Sequence, residues 1–366
     1  MAPNPPEESL IRSILYGTRP ARHVGHLGRH KALTINSDSR FSVFRDARVI
    51  ITGGIGLLGS TLARRLVGLG ADVLLVDRMI AEGGGNFANI SAIRDKVRIN
   101  IAEIGDMETL RPLITGQDFL FNLAARTSHV DSMRSPFDDL AINATAQLQI
   151  LETCRVVAPE IVIVHASTRQ IYGRPRYLPV DEAHSLNPTD VNGVNKMAGE
   201  AYHLMFRTAY GTKTRSLRLT NIYGPGMRIK DAKQNFLGIW IRRVLEGEPF
   251  EVWGGEQRRD MLFAEDAAEA FLAAAVTPEI EGMALNIGGD APYDLATIAG
   301  AMIAANGGGH YELKEFPPER KLIDIGDFVT DDRRFRELAD WQPRTSLAEG
   351  LKCSLDYYRQ NLAAYL

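Results

Sequence analysis

Cysteine is scarce in this chain of 366 residues, with Cys154 and Cys353 the two present. Two distant cysteines make neither a disulfide framework nor a metal-ligand spacing, so thiols of a reducing compartment are expected and no metal site is. No run of 18 apolar residues occurs, and the start lacks the apolar core of a signal peptide. The expectation is a cytoplasmic protein that does not enter membranes. Charge of one sign is also lacking: the formal net charge is −3, with 24% charged and 45% hydrophobic residues. Those proportions exclude a disordered, collagenous or small disulfide-stapled chain, and the length suggests two domains or one large core with a cap.

The balance is uneven along the chain. Residues 1–48 carry eight Lys/Arg against four acids, a local +4 that leaves −7 for the remainder. A basic head of this kind can meet nucleic acid, a membrane or a neighbouring subunit. Its aromatic residues are sparse and Pro3, Pro5, Pro6 and Pro20 interrupt it, so residues 1–45 read as a loose or subunit-packing extension, with no nucleic-acid partner. Within it, Ser9 to Leu15 places apolar residues on one side of a short helix.

The body opens at Ala47-Arg48-Val49-Ile50-Ile51-Thr52, a β-branched run followed by a glycine cluster and a helical pattern from Leu57. Further apolar runs stand at Asp72–Asp77, Val97–Ile101, Phe119–Leu123, Ile161–Ala166 and Arg215–Thr220. Helical stretches between them include Leu140–Val157 and Lys196–Tyr210. Nearly all-apolar strands alternating with helices predict an α/β fold, a doubly wound parallel (Rossmann) sheet over residues 46–220. Residues 221–366 read mainly as a smaller α+β substrate lobe lying over the strand ends.

The strongest local signal is Thr52-Gly53-Gly54-Ile55-Gly56-Leu57-Leu58-Gly59, between a strand and a helix. Glycines there permit a tight turn, close approach to a pyrophosphate and helix-on-strand packing, while helix amides face the anion. Asp77, 18 residues beyond Gly59, can accept both ribose hydroxyls. A carboxylate at that point repels a 2′-phosphate, so NAD is the expected cofactor, although Arg78 beside it keeps NADP open.

These motifs resemble the extended short-chain dehydrogenase/reductase family, the NAD-dependent epimerases and dehydratases of nucleotide-activated sugars, over about residues 47–360. Gly53, Gly56 and Gly59 match its GxxGxxG, and Asn122-Leu123-Ala124-Ala125 its HLAA strand end. Ser167-Thr168 with Ile171-Tyr172-Gly173 resembles SS/TxxVYG, and Leu219 to Pro225 and Arg259-Asp260 follow in order. The resemblance implies an enzyme that holds its cofactor through Gly53, Gly56, Leu57, Leu58, Asp77, Asp106, Met107, Leu123, Ala124, Ala125, Asn143 and Lys196. It implies that Thr168 meets the sugar hydroxyl to be oxidised. Arg126, Ser128, Arg169, Asn221, Arg228, Trp253 and Arg259 would meet the rest of the substrate, although Trp253 also suits a core. A homodimer built on two long helices is a further implication.

One position departs from the family. The tyrosine of its YxxxK motif is Asn192 here, four residues before Lys196. Oxidation of a carbinol needs a base for the hydroxyl proton, and an amide is not one. The acids that the dehydratases carry after the threonine are missing too, since Arg169 and Gln170 follow Thr168. Epimerisation by transient oxidation and return asks less of the site, with Thr168 and Lys196 carrying it and Asn192 as a polar positioning residue. The proton acceptor is then Lys196 in neutral form, Tyr172, His129, His184 or a water relay through Thr168 and Asn192.

Arg126, Arg169, Arg174, Arg176 and Arg228 gather around the expected sugar pocket. They suggest an acidic sugar, or else pairing with acids such as Asp131, Asp181 or Glu182. The leading reading is an NAD-dependent nucleotide-sugar epimerase; the alternatives are a 4,6-dehydratase, a dehydrogenase/reductase, or a cofactor-binding sensor or scaffold without chemistry.

Overall fold

The computed structural model describes residues 39–80, 83–231, 235–317 and 324–366. The apolar helical stretch expected at Ser9–Leu15 lies outside them. Ser39–Phe44, counted with the extension in the sequence reading, forms a 3-10 helix whose Phe41 and Phe44 are core residues. Phe44 is fully buried against Phe119, 4.9 Å between ring centres. Burial of one such ring is worth about 1.5–3 kcal/mol.

The expected strands form as β1 (Arg48–Thr52), β2 (Asp72–Asp77), β3 (Val97–Ile101), β4 (Phe119–Asn122), β5 (Val162–Thr168) and β6 (Thr214–Leu219). Three short strands follow, β7 (Asn221–Tyr223), β8 (Phe250–Trp253) and β9 (Arg258–Phe263), then β10 (Ala284–Ile287), β11 (Pro292–Asp294) and β12 (Tyr311–Lys314). The main sheet is parallel throughout, in the order β10-β6-β5-β4-β1-β2-β3. The order reverses between β1 and β4, which opens a crevice at the carboxyl ends of those strands.

The helices are α1 (Leu57–Leu69), α2 (Met107–Ile114), α3 (His129–Arg134), α4 (Pro136–Leu140), α5 (Ala146–Val157), α6 (Val191–Tyr210), α7 (Phe236–Glu246), α8 (Ala264–Ala275), α9 (Leu295–Asn306), α10 (Arg333–Ala339) and α11 (Leu347–Asn361). One apolar layer joins α1 and the alanine-rich α8 to the sheet, and the other joins α2 and α5 to its opposite side. The region after residue 220 thus returns β10 and α8 to the main sheet and its cover. Helix α10 adds Phe335 and Ala339 to the same layer as α8, while α7, α9 and α11 pack with β8 and β9 around a separate core containing Trp240, Phe250 and Tyr358.

Two helix readings change in ways that shape the site. The stretch read as one helix over 140–157 contains a π-helical turn, Ala141–Thr145, between α4 and α5. Gln147 Nε2 donates to Ile142 O there, and π turns often mark functional positions. The second helix begins at Val191 rather than Lys196, so Asn192 and Lys196 lie one turn apart on the same face. Gly199 on that face lets α6 approach the π turn, since a Cβ there would overlap the Asn143 carbonyl. Among the described residues no helix is long and apolar enough to cross a membrane.

Candidate active site

The turn after β1 is built by backbone that only glycine accommodates. Gly53 has φ +66°, and a Cβ on it would sit 3.0 Å from Ala124 N; a Cβ on Gly59 would overlap Gly53 O. Thr52 ties this turn to the end of β4: its Oγ1 accepts from Leu123 N and Ala124 N and donates to Asn122 Oδ1. The amino end of α1, capped by the backbone of Gly56 with no side chain over it, therefore opens into the crevice. Asp77, at the end of β2, accepts from Ile55 N at 3.1 Å and Met79 N at 2.9 Å, which fixes its carboxylate beside the turn. Arg78 is drawn off by Glu103 at 2.8 Å.

A cleft of about 370 Å³ runs from this turn to the ends of β5 and β6, within the range of small-molecule sites. Its walls bring together Gly53, Gly56, Leu57, Leu58, Asp77, Leu123, Ala124 and Ala125 with Thr168, Asn192 and Lys196, and with Arg126, Arg169, Asn221 and Arg228. An open helix terminus, a glycine-built turn and a carboxylate at the second strand end fit an NAD dinucleotide.

Other positions expected in the site do not line this cleft. Asp106 caps α2, accepting from Glu108 N and from Thr109, and Met107 is the first residue of that helix. Ser128 caps α3 through Asp131 N. Asn143 works from behind: its Oδ1 accepts from Arg126 N and its Nδ2 donates to Arg126 O, bracketing that residue's backbone. Trp253 packs edge-on against Phe316 and donates to Glu251. Arg259 is held by Arg258 O, Gly326 O and Asp324.

Lys196 is buried and donates from Nζ to Ala166 O at 2.6 Å. Burial lowers its pKa to about 8 against the raising fields of Asp139 and Glu200. Asn192, 3% exposed, has a fixed role: its Nδ2 donates to Arg126 O at 2.8 Å and to Asp139 Oδ2 at 2.9 Å. Asn195 donates to the other Asp139 oxygen. Thr168 Oγ1 accepts from Gln170 N, and the neighbouring Ser167 hydroxyl is buried with no partner among the described residues.

Two proton acceptors considered from sequence are occupied elsewhere. The Tyr172 hydroxyl is buried, donates to Asn286 and accepts from Arg218; burial above all raises its pKa to about 12. Neither it nor His184 lines the cleft, and His184 Nε2 accepts from Arg176 N while Nδ1 lies 2.8 Å from Ser185 O. The arginines also separate. Arg126 pairs with Asp138 at 3.1 Å and Arg228 with Asp231 at 2.6 Å. Arg169 instead donates to Asn221 Oδ1 and lies over the Phe328 ring, with Nη1 buried and without a partner among the described residues.

Asp139, Asn195 and Asp190 complete the site without having been singled out in the sequence, and Gln170, noted there only in place of a dehydratase acid, joins them through Asp190. For Asp190 a signal existed, an N-cap residue directly before the helix that carries Asn192 and Lys196.

Residues 49–288 match the sequence profile of the NAD dependent epimerase/dehydratase family. A UDP-glucose 4-epimerase of Mycolicibacterium smegmatis is 28% identical over 314 residues, 85% of this chain and 98% of its own length. UDP-glucuronic acid decarboxylase 1 of Xenopus tropicalis is 26% identical over 325 residues, 86% of this chain and 73% of its own. Among solved structures, UDP-glucose 4-epimerase from Thermotoga maritima with UDP-glucose superposes at TM-score 0.78 and 26% identity, covering 86% of this chain and 99% of that one.

Proposed function

The chain belongs to the NAD-dependent epimerase/dehydratase family, and from that premise we propose that it epimerises a nucleotide-activated sugar at one carbinol carbon. The observation that carries the reading is the single cleft in which the glycine turn and Asp77 face Thr168 and Lys196. When bound, NAD supplies a reversible acceptor for the hydrogen of that carbon with its electron pair. Gly53, Gly56, Leu57, Leu58 and Asp77 would hold it, and Lys196 would place a positive charge at the reacting end. Thr168 orients the sugar hydroxyl. Arg169 and Gln170, standing where dehydratases of the family carry acids, favour epimerisation over loss of water.

Arg169 supports a finer reading, a sugar that carries an anionic group. A buried guanidinium whose Nη1 has no partner among the described residues gains most from a carboxylate that satisfies both nitrogens. Exposed Met133, Phe137, Leu140, Val194 and Met205 on α3, α4 and α6 support a homodimer through those helices. Two free thiols support a cytoplasmic setting.

The test is to incubate the purified protein with a panel of nucleotide sugars, neutral and uronic, without added cofactor. The expected result is an epimer at equilibrium with no accumulation of reduced nicotinamide. A 4-keto-6-deoxy product, or stoichiometric reduced cofactor, would reject the reading.

A further inference from the structure

The base that the family's tyrosine would supply is absent, and Asn192 is committed to Arg126 O and Asp139. His129 stands in a different condition from Tyr172 and His184. It opens α3 directly after the β4 loop, lines the cleft, and its side chain is 40% exposed. Its Nδ1 lies 2.9 Å from Asp190 Oδ2, close but without the alignment of a hydrogen bond. Catalytic hydrogen bonds commonly tighten only once substrate is bound.

Asp190 is well placed to orient that ring. Its side chain is fully buried; Oδ1 accepts from Gly193 N at 2.7 Å and Oδ2 from Gln170 Nε2 at 3.1 Å. Gln170 N in turn donates to Thr168 Oγ1. The loop after β4, the turn after β5 and the start of α6 therefore converge on one histidine, two linked side chains from the threonine that meets the sugar. With Nδ1 toward the carboxylate, Nε2 has no partner among the described residues.

We propose that His129, oriented by Asp190, is the catalytic acid–base that removes and restores the hydroxyl proton of the sugar. This rests on the epimerase reading above. The hydroxyl O–H bond breaks and its proton passes to His129 Nε2. The freed electron pair forms the carbonyl π bond as the carbon's hydrogen departs, with its own pair, to the oxidised nicotinamide dinucleotide. On return the same proton re-forms the hydroxyl. The Asp190 carboxylate stabilises the imidazolium present in between.

The experiment compares wild type with His129→Ala and Asp190→Asn on a nucleotide sugar that the wild type turns over. His129→Ala is expected to lower kcat by about 100-fold or more with KM within about threefold, and added imidazole to restore at least about 10-fold of the loss. Asp190→Asn, which retains a helix-capping side chain, is expected to lower kcat by about 10-fold or more and to move the ¹⁵N resonances of His129. Bound NAD, released and quantified, should match wild type in both. Unchanged kcat in His129→Ala, a loss that imidazole does not rescue, or unmoved His129 resonances would each overturn the assignment. A wild type silent on every sugar would instead remove the epimerase reading and this role with it.

Discussion

Asn192 Nδ2 and Asp139 Oδ2 are 2.9 Å apart, and both residues are almost wholly buried at 3% and 1% exposure. Asn192, one turn before Lys196, is thus one end of a polar clamp, whose other contact is the Arg126 carbonyl that Asn143 also holds. A tyrosine at this position would break that clamp. Asn192→Tyr removes two donated hydrogen bonds and leaves a buried carboxylate oxygen short of a donor, at a cost of about 1–3 kcal/mol. The expected outcome is a lower unfolding midpoint together with reduced turnover, checked by thermal unfolding and by initial rates. Turnover above wild type would show that the clamp is dispensable.

The contrast between what was legible and what was not follows the range of the interactions. The Gly53–Gly59 turn, Asp77 and the strand–helix alternation are local patterns, and each is where the sequence places it. Asn192 was readable as a polar positioning residue, but what it positions was not, because its partners Asp139 and Arg126 stand 53 and 66 residues away in the chain. Residues 221–366 were readable as a smaller lobe, yet the return of Ala284–Ile287 to the main sheet depends on pairing with Ser216–Leu219. The arginine cluster likewise looked uniform in sequence. Its division into paired Arg126 and Arg228 and a buried, partly unpartnered Arg169 is a fact of packing.

That division makes Arg169 a test of substrate charge. Arg169→Leu removes the guanidinium whose Nη1 is buried without a partner among the described residues. The KM of a nucleotide-linked uronate should rise by about 10-fold or more, and that of its neutral counterpart by less than about threefold. Steady-state kinetics on the two substrates measures the ratio. Equal losses would mean that Arg169 only packs beside Phe328.

Cofactor choice is held by two neighbouring side chains. Asp77 is pinned by Ile55 N and Met79 N, while Arg78 is turned to Glu103. Wild type should therefore prefer NAD to NADP. Combining Asp77→Ser with Glu103→Ala removes the repelling carboxylate and releases the guanidinium for a 2′-phosphate. Calorimetry should show the preference shifted toward NADP by about 10-fold or more, with each single change giving less.

Lys196 separates stability from catalysis through its protonation. Burial holds its pKa near 8 in the folded chain, below the usual lysine value of 10.5. Below pH 8 the folded and unfolded states both carry the proton, so the folded protein bears the full cost of a buried charge. Between pH 8 and 10.5 the folded state releases the proton first, the unfolded state binds more protons, and the contribution of Lys196 to stability rises with pH. Lys196→Met avoids that cost throughout. The variant should be inactive, yet its unfolding midpoint at pH 7 should not fall below wild type. Raising the pH from 7 to 10 should then favour wild type over the variant by about 1–3 kcal/mol in chemical unfolding. A difference that stays constant with pH would mean that Lys196 keeps an ordinary pKa in the folded chain, and that its burial against Ala166 O is compensated by Asp139 and Glu200.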